Sequence, residues 1–137
     1  MSTFTLDLSR FKNKSMEAVK LRIKRITFEA FYRIIMRTAV DTGRARANWM
    51  PSIGAMSTTY ELETFDKSGR KATARARRTV EGWDCTGSIF ITNNLSYILG
   101  LEYSDPGSNQ SPAGMVRITV AEMQAWAQNA SNIKGRV

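Results

Sequence analysis

From Phe11 to Thr42 the chain contains neither glycine nor proline, so nothing local interrupts a helix there. Stepping about 100° per residue places Met16, Val19, Ile23, Ile26, Ala30 and Ile34 on one stripe. A second stripe of Phe28, Phe31, Ile35 and Ala39 lies on nearly the opposite side, only in the second half. The first half fills its remaining arc with Arg10, Lys14, Lys20, Arg22, Lys24 and Arg25. This pattern predicts one long helix over residues 9–39, capped by Asp7 or Ser9. Weak alternation of Phe4, Leu6 and Leu8 predicts an extended arm over residues 1–8. A helix that is apolar on two sides must be covered twice. The expectation is that its own sheet covers one side and another subunit the other.

Val40-Asp41-Thr42-Gly43 reads as the stop of this helix, because glycine tolerates the left-handed C-terminal cap. A short helical run, Arg44 to Trp49, follows and ends before Pro51. Residues 52–57 read as a loop. Residues 58–65 read as a strand with Tyr60 and Leu62 on one face. Residues 66–80 have helix propensity but no apolar stripe and are predicted to be a basic mobile loop. Ser88 to Asn93 is the clearest strand, apolar on both faces and therefore central. Leu95 to Tyr103 is compact and apolar, residues 104–112 are rich in turn formers, and Met115 to Ala130 reads as a helix. Residues 131–137 read as a frayed tail. The expected fold is a single α+β domain, its long N-terminal helix and C-terminal helix packed on a small, mainly antiparallel sheet with long mobile loops.

Charge and cysteine content narrow the chemistry. The net charge of +8 is localised: residues 10–46 carry eleven Lys/Arg against Glu17, Glu29 and Asp41. Lys67, Arg70, Lys71, Arg75, Arg77 and Arg78 add six basic groups with no acid among them. Such asymmetry points to a polyanion or a charge-complementary protein surface. With no histidine and only Cys85, neither a multi-cysteine metal site nor histidine-dependent catalysis is expected. There is no nucleophile elbow, phosphate-binding glycine loop or dinucleotide fingerprint. Glu61 and Glu63 form the nearest carboxylate pair, read as solvated surface. The expectation is a chain that is not an enzyme and takes no cofactor or metal. The most apolar window, Ile26 to Met36, is short and broken by Glu29 and Arg33, so no membrane partner is expected.

The first sixty residues also resemble a helix-turn-helix, with Arg44 and Arg46 opening a second helix, which keeps a small basic DNA-binding regulator as an alternative. Arg44 to Trp49 is short for a recognition helix. Pairing of both arginines with acids on a neighbour, and packing of Trp49 in a core or interface, is the simpler reading. Tyr97 and Tyr103 flank Glu102 as a ligand-site candidate or a locally satisfied hydrogen-bond cluster.

Three stretches together resemble a family. Val40-Asp41-Thr42-Gly43-Arg44-Ala45-Arg46-Ala47-Asn48-Trp49 is similar to the Asp-Thr-Gly-Arg-Leu-x-x-Ser/Asn-Trp signature of a small neck protein of long-tailed bacteriophages, where it follows a long N-terminal helix. Asn93 to Tyr103 resembles that family's second signature, an Asn followed by Tyr-Ala-x-x-x-Glu-Tyr/Phe-Gly, with Ser104 where glycine is common. Ser111-Pro112-Ala113-Gly114-Met115-Val116 is similar to the proline-containing start of its C-terminal helix. The resemblance implies a tail-completion or head–tail joining protein of the virion, made in the host cytoplasm. Its subunits form a ring, typically six-fold, between connector and tail tube, through which DNA passes without sequence-specific binding. A tail terminator is a further alternative. A closed ring needs two different complementary faces on each subunit. The expected interface comprises Phe28, Phe31, Ile35, Asp41, Thr42, Gly43, Arg44, Arg46, Trp49, Tyr97, Glu102 and Tyr103, with the basic segment from Lys67 to Arg78 docking on a neighbouring ring.

Overall fold

The computed structural model describes residues 2–103, 110 and 114–128, with the side chains of residues 2–13 and 127 left aside. The fold is α+β, with long helices packed on a small antiparallel sheet. Helix α1 spans Ser2–Arg37, α2 Arg44–Ala47, β1 Met50–Ile53, α3 Arg70–Gly82, β2 Ile89–Thr92, α4 Ile98–Tyr103 and α5 Val116–Gln128.

Helix α1 has 36 residues, about 54 Å at 1.5 Å per residue. It begins at Ser2, so residues 2–8 continue the helix and do not form an extended arm. Two helices of the same chain pack against it. Helix α3 packs along one side, α5 along another, and α3 also rests on β1. The core joins Phe31, Ile34 and Ile35 of α1 to Trp49, to Ala72, Ala76 and Val80 of α3, and to Met115. Ile89 and Ile91 of β2 and Ile98 and Leu101 of α4 pack against this cluster.

The basic segment is therefore not a mobile loop. Residues 70–82 form a helix whose Ala72, Ala76 and Val80, spaced by four, are buried against α1. Alanine side chains let the two helix axes approach closely. Arg70, Lys71, Arg77 and Arg78 of α3 are exposed, and Arg75 and Arg77 lie at the flanks of the buried stripe. Asp66 starts the helix: its Oδ2 accepts the amide of Ala72 at 2.9 Å, satisfying a first-turn donor.

The sheet differs from expectation in one strand. Residues 88–93 contain the predicted strand, observed as β2, but its partner is Met50–Ile53, part of which reads as loop in the sequence. Met50 pairs with Thr92 and Ile53 with Ile89. Residues 58–65 form no strand, and Tyr60 and Leu62 are exposed. A two-stranded sheet is marginal alone, and helix α3 against β1 gives it a core to lean on. The tail at 131–137 and the 104–112 loop, apart from Gln110, lie outside the described residues.

Candidate functional site

The chain between α1 and β1 is a tight knot with glycine at its centre. Gly43 has φ +90°, and a Cβ there would lie 2.6 Å from the Lys67 nitrogen and 2.8 Å from Asp66 backbone atoms. Its carbonyl accepts the amides of both Ala47 and Asp66 at 3.0 Å. Helix α1 ends at Arg37, so Gly43 is not its C-terminal cap; it stands at the start of α2, pressed against the turn that starts α3.

Arg46 binds the same junction. Its Nη1 donates to the Lys67 carbonyl at 2.7 Å, and Nη2 donates to the carbonyls of Met36 at 2.9 Å and Thr38 at 3.0 Å. Carbonyls at a helix C-terminus lack helical partners, and one guanidinium supplies them here. Burial lowers the Arg46 pKa, partly opposed by the Asp66 carboxylate. Arg44 donates from Nε to the Leu62 carbonyl at 2.7 Å and lies over the Phe65 ring. Trp49 is buried, and its Nε1 donates to Thr38 Oγ1 at 2.7 Å. Asn48 is also buried. Its Nδ2 donates to the carbonyls of Arg44 and Glu61, and its Oδ1 accepts the Glu61 amide, so one side chain ties loop 54–65 to α2.

The second stretch closes on the first. Asn93 Nδ2 donates to the Ala45 carbonyl at 2.9 Å, and Asn94 Nδ2 donates to those of Ser57 and Thr59. Gln110 exchanges two hydrogen bonds with the Val40 main chain, at 2.8 and 2.9 Å. Between these stretches lies a cleft of about 440 Å³, lined by residues 39–45 with Tyr97, Leu101 and Gln110.

The third stretch is joined by a carboxylate. Glu102 is buried, and its Oε2 accepts the amides of Met115 at 2.6 Å and Val116 at 3.0 Å. Its Oε1 accepts the Arg117 amide at 2.9 Å and Arg117 Nε at 3.2 Å. Burial alone would raise this carboxyl, but the amides of Arg117, Met115 and Val116 and the Arg117 side chain outweigh it and hold the pKa below the ordinary glutamate value. A carboxylate from α4 thus caps α5. Arg117 also lies over the Tyr103 ring, 4.6 Å from its centroid.

Several expected interface residues are consequently internal. Phe31, Ile35 and Trp49 lie in the core of their own chain, covered by α3 and Met115, and Phe28 packs at the edge of that core beneath Arg77. The second stripe of α1 meets α3 of its own chain, where a sibling subunit was expected. Glu102 is a buried cap, and Gly43 and Arg46 hold the turn itself. Asp41, Thr42 and Tyr97 are exposed around the cleft, and Tyr103 is exposed beneath Arg117. Lys67 lies in the turn before α3, and Arg70, Lys71, Arg77 and Arg78 are exposed on it. Arg75 is drawn in, donating to the Ala47 carbonyl at 2.6 Å. Sequence reasoning overlooked Asn48, Asp66, Asn93 and Gly114 as organising residues. Asn48 directly after an alanine-rich helical turn was the available signal, since a polar side chain there can bond free carbonyls.

Among the described residues no group of three or more His, Cys, Asp or Glu could hold a metal ion, and no helix is long and apolar enough to cross a membrane. No protein-family model, no curated protein and no solved structure matches this chain.

Proposed function

We propose that this chain is a structural virion protein of the phage neck, forming a ring that joins the head connector to the tail tube and leaves a central passage for DNA. The observation that carries this reading is the convergence of the three signature stretches. Asn93 of the second bonds Ala45 of the first, and Glu102 of the second caps the helix that the third begins. Residues that resemble one family in sequence therefore hold one another in space, as parts of a single framework.

The regulator alternative fits the geometry less well. Helix α2 has four residues, too few for a recognition helix, and the guanidiniums of Arg44 and Arg46 are committed to main-chain carbonyls. The exposed basic face of α3 is suited to an acidic neighbouring ring. A passage that lets DNA slide gains nothing from strong phosphate attachment, which grows with each counterion released.

Deleting the coding sequence from the particle's genome tests the reading. The expected result is filled heads and separate tails of normal length, joined again when the protein is supplied. Overlong tails would assign it instead as the tail terminator. Normal yields of joined particles without the chain would overturn the proposal.

A further inference from the structure

The strip of α1 that faces α5 continues past the end of that contact. Glu122 of α5 meets Arg33 and Arg37. Some turns earlier the same side of the helix carries Met16, Val19 and Ile23, spaced by three and four, and their side chains are exposed (Met16 50%, Val19 44%). Lys20 and Arg22 flank this strip, and residues 14–25 of α1 carry Lys14, Lys20, Arg22, Lys24 and Arg25 against Glu17 alone. A contiguous apolar strip left in water marks a contact surface.

The opposite kind of surface sits near the other end of α1. Loop 56–65, held at Glu61 by Asn48 and at Leu62 by Arg44, exposes Met56, Tyr60 (56%), Leu62 (52%) and Phe65. It carries Glu61 and Glu63 and no basic residue. The α1 strip lies near the Cys85 contact to the Lys20 carbonyl, while the loop is tied through Asn48 and Arg44 to the α2 segment, whose Arg46 bonds the Thr38 carbonyl just past the end of α1. Those positions are about 27 Å apart along the helix axis at 1.5 Å per residue. One copy cannot bring its own two surfaces together.

We infer that loop 56–65 of one copy seats on the Met16–Val19–Ile23 strip of the next, its glutamates facing the lysines and arginines beside that strip. The partner is a second copy of this chain. Apolar residues meet apolar residues and each charge meets its opposite, a pattern that favours correct docking and disfavours loop-to-loop or strip-to-strip pairing. The chain's own residues 129–137 are a poorer match, because they carry Lys134 and Arg136 and no acid. Two different faces at opposite ends make a heterologous contact, which closes into a ring where the rotation between copies returns to its start and otherwise extends as a filament. This closure rests on the collar reading above; the pairing itself does not.

The test places single cysteines on the two faces. In a Cys85→Ser background, Val19→Cys and Leu62→Cys chains are prepared separately, then mixed with a short bis-maleimide. The expected result is a cross-linked dimer in the mixture and none from either variant alone. No cross-link in the mixture, with both variants melting as the parent does, overturns the pairing; so do self-links as abundant as mixed ones. Light scattering gives a second arm. Glu63→Lys should weaken self-association by about 2- to 5-fold, the scale of an exposed charge pair, and adding Lys20→Glu to the same chain should restore it. Weakening by both changes without restoration overturns the pairing. A failed cross-link leaves the collar reading to the particle phenotype. A positive one alongside normally joined particles lacking the chain keeps the pairing and removes the collar.

Discussion

The Glu102 carboxyl group occupies the space where a side chain at residue 114 would begin. A Cβ added to Gly114, which has φ +81°, would lie 2.8 Å from both the carboxyl carbon and Oε2 of Glu102. The glycine is what lets the carboxylate reach the first amides of α5. Gly114→Ala should therefore cost about 2–4 kcal/mol, combining positive-φ strain with loss of the cap. Denaturant melts check this, and a melt within experimental error of the parent would refute the account.

The same cap makes stability depend on acid. The folded pKa of Glu102 lies below its ordinary value, so the group contributes stability that is fully present above the unfolded pKa. That contribution is lost as pH falls through the lower, folded value. Glu102→Gln should be less stable than the parent at neutral pH, by about 1.5–3 kcal/mol for hydrogen bonds to a charged group. The gap should narrow as the solution is acidified below the ordinary glutamate range. A pH series of melts that keeps the gap constant would remove the carboxylate from the explanation.

Gly43 is more tightly enclosed than Gly114, with backbone atoms at 2.6 and 2.8 Å from the missing Cβ. All three nearest atoms at Gly43 are backbone, against one of three at Gly114, and backbone yields less readily than a side-chain end. Gly43→Ala should destabilise the chain by about 3 kcal/mol or more, through strain at positive φ and displacement of the Asp66 turn. Reduced soluble yield and a lowered melting temperature are the expected readouts.

Phe31 distinguishes a core from an interface. Buried among α1, α3 and Trp49, its replacement by alanine should cost about 3–5 kcal/mol of folding stability. The loss should be the same at low and high protein concentration. Destabilisation that disappears on concentrating the protein would return Phe31 to a subunit interface.

Arg44 and Arg46 separate the two functional classes. Because both guanidiniums bind carbonyls, Arg44→Gln and Arg46→Gln should lower stability without changing affinity for nonspecific duplex DNA. Removal of a phosphate contact would instead reduce the salt slope of binding by about one. Parallel melts and salt titrations decide between them.

Helix α1 was readable because nothing in its sequence competes with a helix and its apolar spacing is regular. Helix α3 was obscured because its buried face is Ala72 and Ala76, small enough to escape a search for bulky stripes yet completely buried in the core it shares with α1 and Trp49. The second stripe of α1 was read as needing another subunit as its cover, because a basic segment without large side chains did not look like one, and of the first stripe Met16, Val19 and Ile23 remain exposed. Strand β1 was hidden by Pro51 and Ser52, and by a partner found only after the intervening α3. Residues 58–65 alternate as a strand does, yet their main chain is taken up by the side chains of Asn48, Asn94 and Arg44. The reach of Glu102 to residues 115–117 depends on Gly114 geometry, which spacing does not encode. How residues 40–49 and 93–103 divide into framework and exposed surface was not legible, because it depends on which carbonyls Arg46, Asn48 and Asn93 reach.

The length of α1 carries a mechanical consequence. Among the described hydrogen bonds between α1 and the rest of the chain, the Cys85 thiol to the Lys20 carbonyl is the one nearest its beginning. Counting from there, the rod runs on to Ser2 for about another 27 Å at 1.5 Å per residue. A stiff pointer of that reach magnifies movement at its pivot: about 5° of tilt swings the tip by about 2 Å. For a rod turning about that point, the position of its first residues depends on tilt more steeply than it would in a shorter helix.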